Sequence, residues 1–356
     1  MKRDVKFLED LLNAFSPSGY EKEAIKVWED KMNSLGLKKV YSDNIGNSGY
    51  SLGNGPKKIM ISGHIDEIAM MVGLIEEDGM IVLQNLAGID KKVLPGAQVR
   101  VNTSDGRWIP GVIQKAPIHV EGKGKEADSV LKIESLRLDI GADSKEEVEN
   151  NFKVYVGSLV VFERNVHPEF GVNKIVGNAL DDKIGVYITA KVAEILSRTS
   201  VKSIFDLYTF YFVACTQEES GLRGAWVAAH NINPDVSIDI DVTFASNGGL
   251  ISKTKYGDIK LGKGAVIEFG QDKSRRIADL MIQFAETKDE EIAYQRGVAR
   301  CGGTNTDAIQ LMSSDCETML ISIPNLSMHT QNETCDWRDV ESAIDLITKI
   351  FVKKSI

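Results

Sequence analysis

Two kinds of apolar pattern alternate along most of the chain. Apolar residues that recur every three or four positions predict amphipathic helices, and short continuous apolar runs predict buried strands. Helices are predicted at residues 5–15, 21–35, 184–196, 222–230, 274–286, 306–312 and 337–352. Strands are predicted at residues 57–63, 205–214, 236–242 and 317–323. Because strands and helices alternate, we expect an α/β fold with a mixed, largely parallel sheet that helices cover on both faces.

The stretch from about Met70 to Phe162 has a different texture. Its apolar runs are short and are separated by Gly, Pro and Asp, and long helical periodicity is scarce. This pattern is typical of a small β-rich domain, either PDZ-like or a β-barrel, and the charged residues 121–125 are typical of a loop within it. We therefore expect an α/β domain in two parts, residues 1–69 and 167–356, with a β-rich domain inserted at residues 70–166.

The amino-acid composition limits the classes of partner that the protein is expected to bind. The chain has 356 residues, with 42 Lys and Arg against 51 Asp and Glu, and it has no dense basic cluster that would favour a nucleic-acid partner. No apolar stretch reaches the roughly 18 residues that cross a bilayer, and no apolar signal-peptide segment follows the charged N-terminus. The four cysteines are scattered, which favours reduced thiols. We expect a cytoplasmic protein with neither a membrane nor a nucleic-acid partner.

Several acidic residues and two of the five histidines stand close to the end of a predicted strand or the start of a predicted helix. They are His64, Asp66, Asp181, Asp182, Glu218, Glu219, Asp239, Asp241 and His329. Open α/β sheets bind their ligands at the carboxyl ends of the strands. Imidazole and carboxylate groups together suit zinc, cobalt or manganese. Three carboxylates against two such ions would leave a net positive centre, which suits a hydrolase.

Each of these motifs alone has a simpler explanation. Asp181 and Asp182 fit a helix N-cap, and adjacent glutamates fit a solvated loop. Asp239 and Asp241 are harder to explain, because a lone carboxylate in an apolar strand is costly to bury unless it is paired or bound to a cation. The coincidence of all these residues near strand ends favours a metal site. The remaining histidines lack this placement and are interpreted as surface or packing residues: His119, His167 and His230.

Several sequence runs together resemble the tetrahedral aminopeptidase family, which includes glutamyl and deblocking aminopeptidases. The runs are GHIDEIAMMV (63–72), LPG (94–96), IVGNALDDKIGV (175–186), CTQEESGLRGA (215–225), SIDIDVTFA (237–245) and SMHT (327–330). They cover nearly the whole chain in order. The resemblance implies an aminopeptidase that hydrolyses the N-terminal residue from peptides with two divalent metal ions, Zn²⁺ or Co²⁺, with Mn²⁺ as a further option.

The resemblance also implies a role for each matching residue. The metal ligands would be His64, Asp181, Glu219, Asp241 and His329. The two histidines would bind different ions, Asp181 would bridge the ions, and Glu219 and Asp241 would each complete the coordination of one ion. Asp66 would hydrogen-bond the imidazole of His64 and select its tautomer. Glu218 would be the general base that takes a proton from the metal-bound water and passes it to the leaving amine.

Three short segments depart from the family's pattern. Leu326 and Ser327 stand where relatives often carry an Arg-Tyr pair, and residues 330–332 stand where a Ser-Pro pair is common. Asn305 separates the glycine-rich residues 302–304 from Thr306 and the acidic residue that follows it. In the family these segments line the substrate pocket or its rim. The departures leave the preferred N-terminal residue open and do not affect the predicted ligands.

Other functions stay open as alternatives. A metal-dependent deacylase or other amidohydrolase would use the same ions on a different bond. Some members of the family are called endoglucanases, but a glycosidase needs two carboxylates about 5–10 Å apart around the glycosidic oxygen, and here the acids accompany histidines. A non-catalytic binding protein would have no use for the intact Glu218. The resemblance further implies a homo-oligomer, a hollow dodecamer built from dimers in which the inserted domain makes many contacts.

Overall fold

The computed structural model describes residues 3–117, 119, 132–299 and 303–353. It consists of two compact units. The large unit comprises Met1–Glu67, Val166–Met328 and Asn332–Ile356, and the small unit comprises Ile68–Asn165 and His329–Gln331. The loop predicted at residues 121–125 and the first of the glycine-rich residues, Gly302, lie outside the described residues.

The described residues form ten α-helices. They are α1 Val5–Asn13, α2 Lys22–Ser34, α3 Lys145–Asn150, α4 Leu180–Ser197, α5 Ile204–Leu207, α6 Arg223–Ile232, α7 Lys253–Tyr256, α8 Arg275–Ala285, α9 Asn305–Met312 and α10 Trp337–Lys353. Within this part of the chain, no helix is both long enough and apolar enough to cross a membrane.

The same residues form seventeen β-strands. They are β1 Lys38–Ser42, β2 Ser48–Gly53, β3 Lys57–His64, β4 Met70–Ile75, β5 Ile81–Asn85, β6 Gln98–Asn102, β7 Trp108–Gln114, β8 Arg137–Asp139, β9 Leu159–Phe162, β10 His167–Phe170, β11 Lys174–Gly177, β12 Tyr208–Cys215, β13 Val236–Phe244, β14 Ala265–Phe269, β15 Tyr294–Val298, β16 Glu317–Asn325 and β17 Glu333–Asp336.

The large unit is built on an eight-stranded mixed sheet in the order β1-β2-β12-β3-β13-β16-β14-β15. Its central strands β12, β3, β13 and β16 are parallel to their neighbours in this group. The strands β2 and β14 join this group antiparallel, on opposite sides. The predicted α/β fold with a mixed sheet is therefore confirmed. A separate antiparallel sheet in the same unit contains β10, β11 and β17.

Side chains on β3 alternate between two apolar clusters. Ile59 and Ile61 pack in the cluster that includes residues of α1, α2, α4 and α10. Met60, between them, packs in the cluster that includes residues of α6 and α9. Successive side chains of a strand point to opposite faces, so helices cover the sheet on both sides, and for that reason its central strands, such as β3, are apolar over most of their length.

The small unit contains a closed barrel of six strands in the order β4-β5-β8-β7-β6-β9. Its interior is filled by buried aliphatic side chains, which include Val72, Leu83, Val99, Val101 and Val160. The short helix α3 also belongs to this unit. The β-rich part of the chain is thus of the β-barrel type, one of the two types that the sequence pattern predicts.

The sequence prediction is wrong about several smaller elements. The strand predicted at residues 205–214 begins only at Tyr208, because residues 204–207 form the helix α5. The sequence pattern also predicts none of seven further strands: β1, β2, β10, β11, β14, β15 and β17. Four of the five residues of β1 are exposed, so this edge strand lacks the continuous apolar run that marks a buried strand.

Candidate metal centre

The central strand β3 ends at His64, whose side chain is almost completely buried. The strand comes close to helix α4 at Gly63, where a Cβ atom would lie 2.8 Å from the backbone carbonyl carbon of Gly185. This close approach brings the end of β3 beside the first residues of α4. There the backbone N–H of His64 donates to Oδ2 of Asp182 at 3.1 Å.

The two adjacent aspartates at the start of α4 have different partners. Asp182 Oδ1 accepts a hydrogen bond from the N–H of Gly185 at 3.0 Å, which is the contact of a helix cap. Asp181 Oδ1 instead lies 3.1 Å from Nε2 of His64. The backbone of Asp181 is non-helical, with φ −78° and ψ 106°, and its N–H donates to Oε2 of Glu333 at 2.8 Å. The simpler helix-cap explanation therefore applies to Asp182.

Glu218 and Glu219 lie in the loop between β12 and α6, which the carboxylate of Asp66 holds. Asp66 Oδ1 accepts from the N–H of Glu218 at 2.9 Å, and Asp66 Oδ2 accepts from the N–H of Glu219 at 3.1 Å. Nδ1 of His64 lies 3.4 Å from Oδ1 of Asp66 and 3.2 Å from its backbone oxygen. Asp66 thus lies between the imidazole and the loop that carries both glutamates.

Two groups of potential metal-binding atoms share His64. One group contains His64, Asp181 and Glu219, and the other contains His64, Glu218 and Asp241. Within each group the donor atoms lie within 4.8 Å of one another. Nε2 of His64 is 3.8 Å from Oε2 of Glu218 and 3.9 Å from Oδ1 of Asp241. The large unit therefore brings together four of the five predicted ligands and the predicted base.

His329, the fifth predicted ligand, belongs to the small unit. Its Nδ1 contacts the backbone carbonyl oxygen of Gly88, and its backbone is left-handed, with φ 62°. Its role as a metal ligand stays a prediction. The three histidines that were interpreted as surface or packing residues are all exposed: His119, His167 and His230.

Burial and mutual repulsion raise the pKa values of three carboxyl groups near His64, those of Asp182, Glu218 and Asp241. Burial raises the pKa of Asp182 well above its ordinary value, and the neighbouring Asp241 raises it further. Burial likewise raises the pKa of Glu218, to which the charges of Asp241 and Asp66 add. Burial opposes the charged form of His64, but Glu218, Asp181 and Asp66 outweigh this effect and raise the pKa of the imidazole.

These carboxyl groups fit divalent cations. Several carboxylates buried side by side are costly in free energy unless a cation lies among them. The raised pKa values of Asp182, Glu218 and Asp241 reflect the cost of burial first and the repulsion between the carboxylates second. The donor atoms are imidazole nitrogen and carboxylate oxygen, the combination that suits zinc, cobalt or manganese. The residues present therefore match the kind of cofactor that the sequence predicts.

The apolar strand β13 carries two acidic residues, Asp239 and Asp241, whose side chains have different partners. Asp239 lies opposite Ser62 of β3, and its Oδ1 accepts from the hydroxyl of Ser62 at 2.6 Å. Burial raises the pKa of Asp239 to about 7. Asp241 is the member of the pair that approaches His64, so the strand directs one carboxylate to the site and one into a polar contact with its neighbour.

Sequence reasoning misses three buried polar residues that hold the site: Glu21, Asn47 and Glu333. Glu333 binds the backbone of Asp181, and Glu21 and Asn47 bind the loop that carries Glu218. Each partner is far away along the chain, so no local pattern reveals the contact. The nearest signal in the sequence is the Ser-Pro-Ser-Gly segment at residues 16–19, which separates the first two predicted helices just before Glu21.

The family model of M42 glutamyl aminopeptidases matches residues 47–346. This match spans most of the chain, and the chain belongs to that family. The family that the sequence motifs predict is thereby confirmed, as is the predicted enzyme class, an aminopeptidase.

Three known proteins illustrate the likeness. The lysyl aminopeptidase of Pyrococcus furiosus is 30% identical over 96% of this chain and 95% of its own. The structure of an aminopeptidase from the archaeon Desulfurococcus kamchatkensis superposes with a TM-score of 0.88 at 32% identity, over 99% of this chain and 95% of the other. The TET1 peptidase of Pyrococcus horikoshii, which can assemble into a tetrahedron or a large octahedral shell, gives a TM-score of 0.82 at 28% identity, over 98% and 99% of the two chains.

Proposed function

We propose that this chain is a two-metal aminopeptidase that releases the N-terminal residue of peptides. The observation that carries the proposal is the meeting of two ligand groups at His64, beside a loop whose glutamates are both held by Asp66. Membership of the M42 glutamyl aminopeptidase family supports the same reaction.

The proposed ligands of the two ions are His64, Asp181, Glu219, Asp241 and His329. We propose Zn²⁺ or Co²⁺ as the native ions, with Mn²⁺ as a further option, because the donor atoms are imidazole nitrogen and carboxylate oxygen. Asp181 would contact both ions, the role that the resemblance implies for it, and its Oδ1 lies 3.1 Å from Nε2 of His64. When bound, divalent ions supply positive charge that polarises a peptide carbonyl and makes water more acidic.

Glu218 is the proposed general base. Its carboxylate takes a proton from the attacking water, whose oxygen forms a bond with the carbonyl carbon of the first peptide bond. The carbon–nitrogen bond then breaks, and Glu218 returns the proton to the leaving amine. The products are a free amino acid and a peptide that is one residue shorter. Burial, together with the charges of Asp241 and Asp66, raises the pKa of Glu218, which favours a carboxyl group that can both accept and return a proton.

The proposed role of Asp66 is to orient the other groups. It lies against Nδ1 of His64, so that Nε2 is directed towards Asp181. Its two oxygens also hold the backbone of Glu218 and Glu219. A carboxylate that fixes a ligand histidine in this way selects its tautomer and its direction.

An activity panel tests this proposal against the alternatives. The metal-loaded protein is assayed on aminoacyl-p-nitroanilides with different side chains, on N-acyl amino acids and on a soluble cellulose derivative. We expect hydrolysis of the first class only, and the panel also identifies the preferred N-terminal residue, glutamyl or other. Faster hydrolysis of N-acyl amino acids would favour a deacylase, and release of reducing sugar would favour an endoglucanase.

Self-assembly and location are further parts of the proposal. We propose a dodecamer built from dimers. The TET1 peptidase of Pyrococcus horikoshii, which can assemble into a tetrahedron or a large octahedral shell, supports self-assembly of this kind into a closed shell. Enclosed sites would admit only peptides and unfolded segments.

A cytoplasmic location is supported by the described cysteines Cys215, Cys316 and Cys335, which are free and buried, because free thiols persist in reducing compartments.

A further inference from the structure

The loop between β12 and α6 directs the side chains of Glu218 and Glu219, and side chains from outside the loop hold its backbone. Its four consecutive N–H groups at residues 216–219 all donate to such side chains. Asn47 Oδ1 accepts from residue 216 at 2.9 Å, and Asp66 accepts from residues 218 and 219. The remaining group, the N–H of Gln217, donates to Oε1 of Glu21 at 3.1 Å.

Gln217 is the residue at which this support matters most. Its backbone is left-handed, with φ 54°, a conformation that residues other than glycine adopt uncommonly. Such a conformation persists when the surrounding structure holds it in place. Because Gln217 directly precedes Glu218, a change in its backbone angles would redirect the Glu218 side chain.

Glu21 is held in position independently of the loop. Its side chain is buried, and Oε1 also accepts from the N–H of Gly19 at 2.6 Å. A second contact joins the same two segments, since the hydroxyl of Ser220 donates to that of Ser18 at 2.7 Å. The segment between α1 and α2 therefore offers a fixed acceptor to the backbone of the loop.

We propose that Glu21 is a positioning residue of the site, whose carboxylate holds the backbone of Gln217 and thereby the direction of the adjacent Glu218 side chain. The inference rests on the proposed role of Glu218 as general base. Glu21 acts through the backbone of Gln217 and takes no part in proton transfer.

The test measures kcat and KM of Glu21→Ala and Glu21→Gln on an aminoacyl-p-nitroanilide at saturating Zn²⁺ or Co²⁺. A misplaced catalytic group costs on the order of ten- to a hundredfold in rate, so we expect kcat of Glu21→Ala to fall by about that factor while KM stays within about twofold. The amide oxygen of Glu21→Gln can still accept from Gln217, so its kcat should stay within roughly threefold of the wild type. This rescue distinguishes a hydrogen-bond acceptor from a residue that only fills space.

Glu23→Ala is the matched control, because Glu23 is a neighbouring acidic residue whose Oε2 accepts from the N–H of Phe15. Its kcat should equal that of the wild type. A Glu21→Ala variant with wild-type kcat, or a Glu21→Gln variant as slow as Glu21→Ala, would overturn the inference. If Glu21→Ala does not fold, Glu21→Asp tests the inference instead, because it keeps the negative charge but moves the acceptor oxygen away from Gln217 by the length of one methylene group. A lowered kcat of Glu21→Asp supports the inference, and a wild-type kcat overturns it.

Glu218→Gln in the same assay separates this inference from the proposed function. Wild-type activity of Glu218→Gln would contradict the proposed function itself. An inactive Glu218→Gln beside a fully active Glu21→Ala would leave the function in place and overturn only the positioning role of Glu21.

Discussion

The carboxylate of Asp66 accepts a hydrogen bond from the backbone N–H of Glu218 at 2.9 Å, although the two residues are 152 positions apart in the chain. The same carboxylate accepts from Glu219 and lies beside the imidazole of His64. The parallel pairing of β12 with β3, in which Cys215 lies opposite His64, brings these residues together. A single side chain can therefore set the directions of a proposed ligand and of the proposed base.

Replacement of Asp66 should impair catalysis more than stability. Loss of a residue that orients metal ligands typically costs about 10–100-fold in metal affinity or activity, and we expect a loss of this size for Asp66→Ala. Asp66→Asn keeps one acceptor oxygen and should lie between Asp66→Ala and the wild type. The measurement is kcat with bound metal per chain. Equal activity of all three proteins would contradict the orienting role.

Glu218 and Glu219 should respond differently to the same substitution. Glu218→Gln should keep the fold and its metal ions but lose about a hundredfold or more in kcat, as expected for a lost general base. Glu219→Gln should instead weaken metal binding first, because Glu219 is the proposed ligand. Each variant serves as the control for the other in parallel measurements of metal content and residual rate. Identical metal content and identical rates would show that base and ligand are wrongly assigned.

The residues at strand ends were predictable from local pattern. The apolar runs of β3 and β13 identify buried strands, and His64 and Asp241 lie at or near their carboxyl ends, where a sheet of this class places its ligands. Which of the two aspartates at the start of α4 faces His64 was not predictable in this way. That choice depends on the backbone angles of Asp181, which no local pattern encodes.

The residues that support the site were also beyond prediction from local pattern. Asn47 and Glu21 reach the loop of Glu218 across 169 and 196 residues of chain, so only the tertiary structure shows their contacts. The edge strand β1 was missed for a different reason, because its mostly exposed residues give no apolar run. Buried central elements are therefore easier to predict than edge strands and long-range polar contacts.

Glu268 should make the stability of the protein depend on pH. It is buried on β14, its Oε2 has no hydrogen-bond partner among the described residues, and burial raises its pKa from 4.5 to about 7. The folded state then holds a proton that the unfolded state releases above pH 4.5, so this group's contribution to stability is complete below pH 4.5 and is lost as the pH rises to about 7. The loss should be about 3 kcal/mol.

Denaturant unfolding of the wild type and Glu268→Gln at several pH values between 4.5 and 8 measures this effect. The free energy of unfolding of the variant, relative to the wild type, should rise with pH and level off above about 7. Glu169→Gln, at an exposed position, is the control and should show no such trend. A constant difference between the Glu268→Gln variant and the wild type would show that the carboxyl group of Glu268 titrates normally in the folded state.

Assembly can be measured directly by light scattering at micromolar concentration. The proposed dodecamer has a mass near twelve times the 39.2 kDa of one chain, and a dimer is expected if assembly depends on metal. Enclosure would make the N-terminus of a folded protein a much slower substrate than that of a free peptide. A monomer with full metal content and full activity would contradict the proposed assembly, and equal cleavage of folded protein and peptide would contradict enclosure.

The central claim is that two metal ions at the residues around His64 are needed for peptide hydrolysis. The most direct measurement titrates the metal-free protein with Zn²⁺ or Co²⁺ and records bound ions per chain together with the rate on an aminoacyl-p-nitroanilide. The account predicts no hydrolysis without metal and a maximal rate at two ions per chain. A full rate in the presence of chelator, or saturation of both binding and rate at one ion per chain, would contradict it.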